Sequence, residues 1–85
     1  MERVKSVEAL DGFRLSILFS NGVRKVFDVT PYLSRGVFSR LRDPALFSQA
    51  YVAYDTVCWP GNLDIAPETL FDRGVELQQE LAGGR

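Results

Sequence analysis

The first strong pattern in the chain is an alternation. Phe13, Leu15, Ile17 and Phe19 are separated by Arg14, Ser16 and Leu18. A period of two commits one face of a strand to a core. Before it, Val4 and Val7 lie in a shorter mixed stretch that ends at the turn signal Asp11-Gly12. After it, Ser20-Asn21-Gly22-Val23 leads into Val26, Phe27 and Val29. Asn-Gly between two such runs predicts a hairpin closed by a type I′ turn, which needs positive φ at both central residues. A two-residue loop places Phe19 opposite Arg24, Ile17 opposite Val26 and Leu15 opposite Asp28. On the other face it sets Leu18 opposite Lys25 and Ser16 opposite Phe27. Apolar groups then fall on both faces of the hairpin. A bulge would shift the register and regroup them. The reading preferred on sequence is partial cover of both faces, which makes Leu18 and Phe27 candidate partner-binding residues.

From Thr30 the period changes. Thr30-Pro31 and Asp43-Pro44 each combine an N-cap residue with proline at the first helical position, so both predict short helical turns. The first should end near Gly36. Val37, Phe38, Leu41, Leu46 and Phe47 supply their apolar anchors. Strands return at Tyr51–Tyr54 and Val57–Trp59, joined by a turn at Asp55-Thr56. Pro60 cannot donate to a ladder and ends the second of these. Gly61-Asn62 predicts another tight turn before Leu63-Asp64-Ile65. Pro67 opens a C-terminal helix anchored by Leu70 and Phe71, and Gly74 either ends it or weakens it. Glu68, Asp72, Glu76 and Glu80 recur every fourth residue, a like-charge ridge that predicts fraying after Gly74. The expectation is one α+β domain over residues 1–82. It comprises three antiparallel N-terminal strands, a second strand pair, short helices and a C-terminal helix, with 83–85 as a disordered tail.

Composition narrows the class. The 85 residues are 46% hydrophobic and 25% charged, which fits a globular domain rather than a disordered chain. No run of about 18 apolar residues occurs, so no membrane span is expected. The start, Met1-Glu2-Arg3-Val4-Lys5, lacks the apolar stretch of a secretory signal. Cys58 is the one cysteine, which rules out an intrachain disulfide and suggests a reducing, cytoplasmic compartment. Residues 1–50 hold eight Lys/Arg against five Asp/Glu, whereas residues 51–85 hold two against six. Such polarity either neutralises itself in the fold or steers a charged partner.

Little catalytic chemistry is visible. The chain has no histidine, which removes the commonest general base and metal ligand and the Ser-His and Cys-His pairs. Cys58 lies between Val57 and Trp59, a setting that raises a thiol's pKa and suits a structural role. Asp28, Asp55 and Asp64 sit at strand ends, but each has a turn or cap explanation. With Trp59, they keep a small-ligand or carboxylate-based hydrolase site as one alternative. No metal or organic cofactor is expected. Arg35, Arg40 and Arg42 are candidate phosphate contacts. With Arg24 and Lys25 they form the other alternative, a nucleic-acid accessory domain. In Trp59-Pro60-Gly61-Asn62, the residues Trp59, Pro60 and Asn62 are candidate partner-binding positions, set against a reading in which Trp59 closes the core.

Several of these residues together resemble a bacterial family. The set is Phe13 to Phe19, Asn21-Gly22, Phe27-Asp28-Val29, Pro31-Tyr32-Leu33 and Gly36, then Phe38, Leu41, Phe47, Val57, Trp59-Pro60 and Leu63-Asp64-Ile65-Ala66-Pro67-Glu68. In order and spacing it is similar to the domain of unknown function 2442, over residues 4 to 72. The resemblance implies a small antiparallel sheet carrying short helices and no established catalytic residues. It also implies a proposed toxin–antitoxin relationship with a neighbouring small protein. Some longer relatives append a helix-turn-helix DNA-binding domain, for which the 85 residues leave no room. The leading expectation is a non-enzymatic protein-interaction module. Its partner is expected to be a small bacterial protein or a second copy of itself, with nucleic acid not expected to bind the module alone.

Overall fold

The computed structural model describes residues 2–76. Strands β1 (Val4–Leu10), β2 (Arg14–Phe19) and β3 (Arg24–Asp28) form an antiparallel sheet. A 3-10 turn at Thr30–Tyr32, a longer 3-10 segment at Gly36–Arg42 and helix α1 (Pro44–Phe47) follow. Strands β4 (Tyr51–Ala53), β5 (Thr56–Trp59) and β6 (Leu63–Ile65) make a second antiparallel sheet. Helix α2 (Pro67–Arg73) then returns the chain to the first sheet, where β7 (Val75–Glu76) pairs with β3. The class is α+β, as the pattern implied. The second sheet has three strands rather than two, and the first gains a fourth.

The hairpin at Asn21-Gly22 forms in a different register from the two-residue one. Gly22 N–H donates to the Phe19 carbonyl at 2.9 Å and Phe19 N–H to the Val23 carbonyl at 2.9 Å. The loop therefore holds three residues, Ser20 to Gly22, and positive φ falls on Gly22 at +88° while Asn21 stays on the negative side. This is a type I turn with a glycine bulge. Leu15 now faces Phe27, Ile17 faces Lys25 and Ser16 faces Val26. Leu15, Ile17, Phe19 and Phe27 consequently share the inner face, each at most 1% exposed. The pairing is thereby corrected and Phe27 moves to the inner face, while Leu18 and Val26 stay half-buried on the outer one. The physical reason is that a one-residue slip moves every side chain to the other face. Each large apolar group buried is worth about 1.5–3 kcal/mol, more than a turn preference.

Both sheets and α2 enclose one core. Its side chains include Val4, Leu15, Ile17, Phe19, Leu41, Val57, Trp59, Leu63 and Leu70, with Phe71 packed edge-on to Phe19 at 5.0 Å. Lys25 also points inward. Its ammonium donates to the Phe71 carbonyl and sits 3.6 Å from the Phe71 ring centre, tying the last turn of α2 to β3. The two sheets meet where β1 lies beside β4 and β5, and Val4 N–H donates to the Asp55 carbonyl at 2.9 Å.

The caps explain where the helices start. Asp43 Oδ1 accepts the Ala45 N–H at 3.0 Å, as Asp43-Pro44 predicts. At the earlier turn, Thr30 makes no side-chain cap. Asp28 Oδ1 accepts the Thr30 N–H at 2.9 Å instead. Helix α2 ends at Gly74, and the chain continues as β7 where fraying was expected. The tail at 83–85 and Glu80 of the charge ridge lie outside the described residues.

Candidate functional site

Hairpin β4–β5 turns through Tyr54-Asp55, one residue before the Asp55-Thr56 turn expected. Ala53 pairs with Thr56, so the loop has two residues, with φ of +53° at Tyr54 and +63° at Asp55. These are the signs of the type I′ turn forecast for Asn21-Gly22, realised here without a glycine. Position 54 is also 91% exposed. A bulky residue in the left-handed region is rare and costly. An exposed one gains no burial to offset that cost.

Around this turn lies a small aromatic surface. Across the second sheet Tyr51 pairs with Cys58 and Cys58 with Asp64, so these three share the outer face. Tyr51 and Tyr54, with Asn62 and Asp64, wall a shallow cleft of about 240 Å³ floored by Cys58. Val52, the next residue of β4, points to the other face of the sheet opposite Val57 and is partly exposed at that edge. Arg3 Nε lies 3.9 Å from the Asp55 carboxylate at the turn, an exposed pair of little energetic weight. Burial pushes the Cys58 thiol up, the Asp64 charge adds to this, and the Ala53 backbone opposes it in part; the thiol itself donates to the Ala53 carbonyl at 3.6 Å. The thiol is therefore held protonated, which does not suit it as a nucleophile.

The residues singled out on sequence are dispersed. Trp59 is wholly buried, its indole N–H donating to the Phe47 carbonyl at 2.9 Å, so it closes the core and presents no surface. Phe27 is likewise interior, while Leu18 is half-buried on the opposite, outer face of the first sheet. Pro60 and Asn62 are exposed in the β5–β6 turn, near the aromatic surface. The three arginines do not converge through their contacts. Arg42 Nε donates to the Leu33 carbonyl at 3.1 Å. Arg40 lies over Gly61, where an added Cβ would fall 2.7 Å from a guanidinium nitrogen. Arg35 sits over the Tyr32 ring, 5.1 Å from its centre. Arg73, unremarked in the sequence, lines a groove with Arg35. Its signal was the four-residue spacing from Thr69 on the helix flank away from the core. Tyr54 was missed because the turn was set one residue late. Among the described residues, no three His, Cys, Asp or Glu side chains gather to hold a metal ion.

The family of proteins of unknown function DUF2442 matches residues 4–76. The chain belongs to the DUF2442 family. A solved structure from Nitrosomonas europaea, described as a "putative DNA binding protein", superimposes with a TM-score of 0.77 at 23% identity. The match covers 98% of this DUF2442 chain and 52% of that one, so the chain spans about half of the neighbour's length. At that identity the likeness carries the fold. No curated protein matches the chain significantly. Among the described residues, no helix is long and apolar enough to cross a membrane.

Proposed function

We infer that this chain is a non-enzymatic protein-interaction module that meets its partner through Tyr51 and Tyr54. The observation that carries this reading is Tyr54, which is 91% exposed at a φ of +53°. Local choices that oppose stability concentrate at functional positions. Tyrosine is also a favoured interface residue, offering large rigid area at low entropic cost. Tyr51, at 47% exposure, extends the patch along β4. A protonated, buried Cys58 and a chain free of histidine support a role without catalysis. The partner is a small protein for which this chain acts as a regulatory or antitoxin-like companion, and a second copy of the chain is the other occupant under test.

The test is co-purification from the native host with tagged parent chain, Tyr54→Asn and Tyr51→Ser, together with light scattering of the pure chain. One protein recovered in fixed ratio with the parent and lost from both variants supports the reading. Equal recovery by all three overturns it, and a dimer that persists in both variants assigns self-association to another surface.

The DNA-binding description of the Nitrosomonas europaea protein supports a second reading, an accessory role on nucleic acid. Against it, Arg42 is engaged with the chain's own backbone at the Leu33 carbonyl, and Arg40 lies over Gly61. Titration with DNA and RNA at falling salt decides, because phosphate contacts give a steep salt dependence.

A further inference from the structure

We propose that the groove between the Thr30–Tyr32 turn and α2 is a binding site for a small phosphate monoester, held by Arg35 and Arg73. The site lies apart from the tyrosine surface and does not depend on the interaction reading. The groove encloses about 470 Å³ and is lined by Asp28, Pro31, Tyr32, Arg35, Thr69 and Arg73. A volume of that order matches a ligand with an organic body rather than a bare ion.

Four features of the groove point to an anion. Arg35 holds its guanidinium over the Tyr32 ring, 5.1 Å from its centre, and Tyr32 is itself braced by Phe27 at 5.6 Å and Phe38 at 6.3 Å. A cation–π contact of this kind leaves guanidinium N–H donors from which a phosphate can accept. Arg73 comes from the last turn of α2, with Thr69 one turn before it on the same flank, which brings a hydroxyl beside the second cation. Asp28 also lines the groove, its Oδ1 accepting the Thr30 N–H at 2.9 Å, and it offsets one of the two guanidinium charges. Among the described residues the ion pair is Arg3 with Asp55, so neither groove arginine has a carboxylate partner there. The groove lining carries two guanidinium charges against one carboxylate, a net positive excess that favours an anion. A phosphate monoester offers three acceptor oxygens, enough for both guanidinium groups and the Thr69 hydroxyl, where a single carboxylate offers two.

The test is a two-dimensional NMR titration of the full chain with AMP, inorganic phosphate, adenosine and glutarate at low salt. The expected result is saturable shifts at the amides of Arg35, Thr69 and Arg73 with AMP and weaker ones with inorganic phosphate. Arg35→Gln and Arg73→Gln, each checked for an unchanged melting temperature, should bind AMP at least about tenfold more weakly, as loss of a charge-assisted hydrogen bond implies. Lys5→Gln, on the outside of β1, should bind as the parent does. Absence of saturable shifts overturns the proposal. So does AMP binding that survives both arginine substitutions, or a response to glutarate or adenosine as strong as that to AMP.

Discussion

Replacing Tyr54 by asparagine should make the protein more stable, and the size of the gain follows from the turn. Tyr54 sits at a φ of +53°. The left-handed region costs an ordinary L-residue roughly 1–2 kcal/mol, and asparagine escapes part of that cost because its short side chain bonds locally. Since Tyr54 is 91% exposed, about a tenth of its surface is lost from packing. For a side chain that buries ~200 Å² when enclosed, that is roughly 20 Å², or ~0.5 kcal/mol. The balance favours Tyr54→Asn by about 0.5–1 kcal/mol. In a domain of this size 1 kcal/mol moves the melting temperature by roughly 4–8 °C, so a rise of about 2–8 °C is expected. Urea titration and thermal melts followed by circular dichroism measure it. Tyr54→Val is the companion variant, because a β-branched residue is still less tolerant of positive φ and should lower the melting temperature. A Tyr54→Asn protein no more stable than the parent, or a Tyr54→Val protein equal to it, would refute the assignment of backbone strain to this position.

Gly74→Ala should destabilise by about 1–3 kcal/mol, the usual range for overpacking. The new Cβ would fall 2.8 Å from the Leu70 carbonyl and 3.0 Å from the Lys25 Cβ, so β7 would be pushed off β3. Urea denaturation and faster hydrogen exchange at Lys25 and Val26 are the readouts. Trp59→Phe should cost roughly 2–3 kcal/mol from lost indole volume and a lost hydrogen bond, softened because the Phe47 carbonyl also accepts from Ala50 N–H at 3.3 Å. The Cys58 thiol should resist a disulfide reagent at neutral pH until urea unfolds the chain. Its folded pKa is raised chiefly by burial, so the native state holds the proton more tightly than the unfolded one. That contribution to stability is full below the ordinary thiol value of about 8.5 and is lost as pH rises through the raised one. Cys58→Ala should flatten this alkaline fall.

Much of this architecture was legible because burial and local capping agreed. The alternation from Leu15 to Phe19 marked a strand with one inner face, and Asp43-Pro44 marked the start of α1 through a carboxylate that does cap Ala45. The register of the first hairpin was not legible from Asn21-Gly22, because the dipeptide suits both a two-residue turn and a glycine bulge. The choice was made by Phe27, which joins the core only if it faces Leu15. The second turn was hidden for the converse reason. Tyr54-Asp55 carries no glycine, so turn chemistry placed the loop one residue late, whereas the pairing of Ala53 with Thr56 fixes it. At Gly74 the helix stop was readable, but the return to β3 was not, since Val75-Glu76 is too short for a period and its pairing depends on Lys25 reaching α2. The candidate surfaces suffered in proportion. Trp59 was weighed as an anchor from its neighbours Pro60 and Gly61, yet its indole N–H finds a carbonyl inside the core.

Site-specific photo-crosslinking in the native host bears most directly on the interaction reading. A benzoylphenylalanine residue would replace Tyr54 in one chain and Val37, 61% exposed and remote from the tyrosine surface in sequence, in another. The account predicts one dominant protein adduct from position 54 and none from position 37. Adducts of the same pattern from both positions, or none from position 54 while the chain still captures its partner, would contradict it.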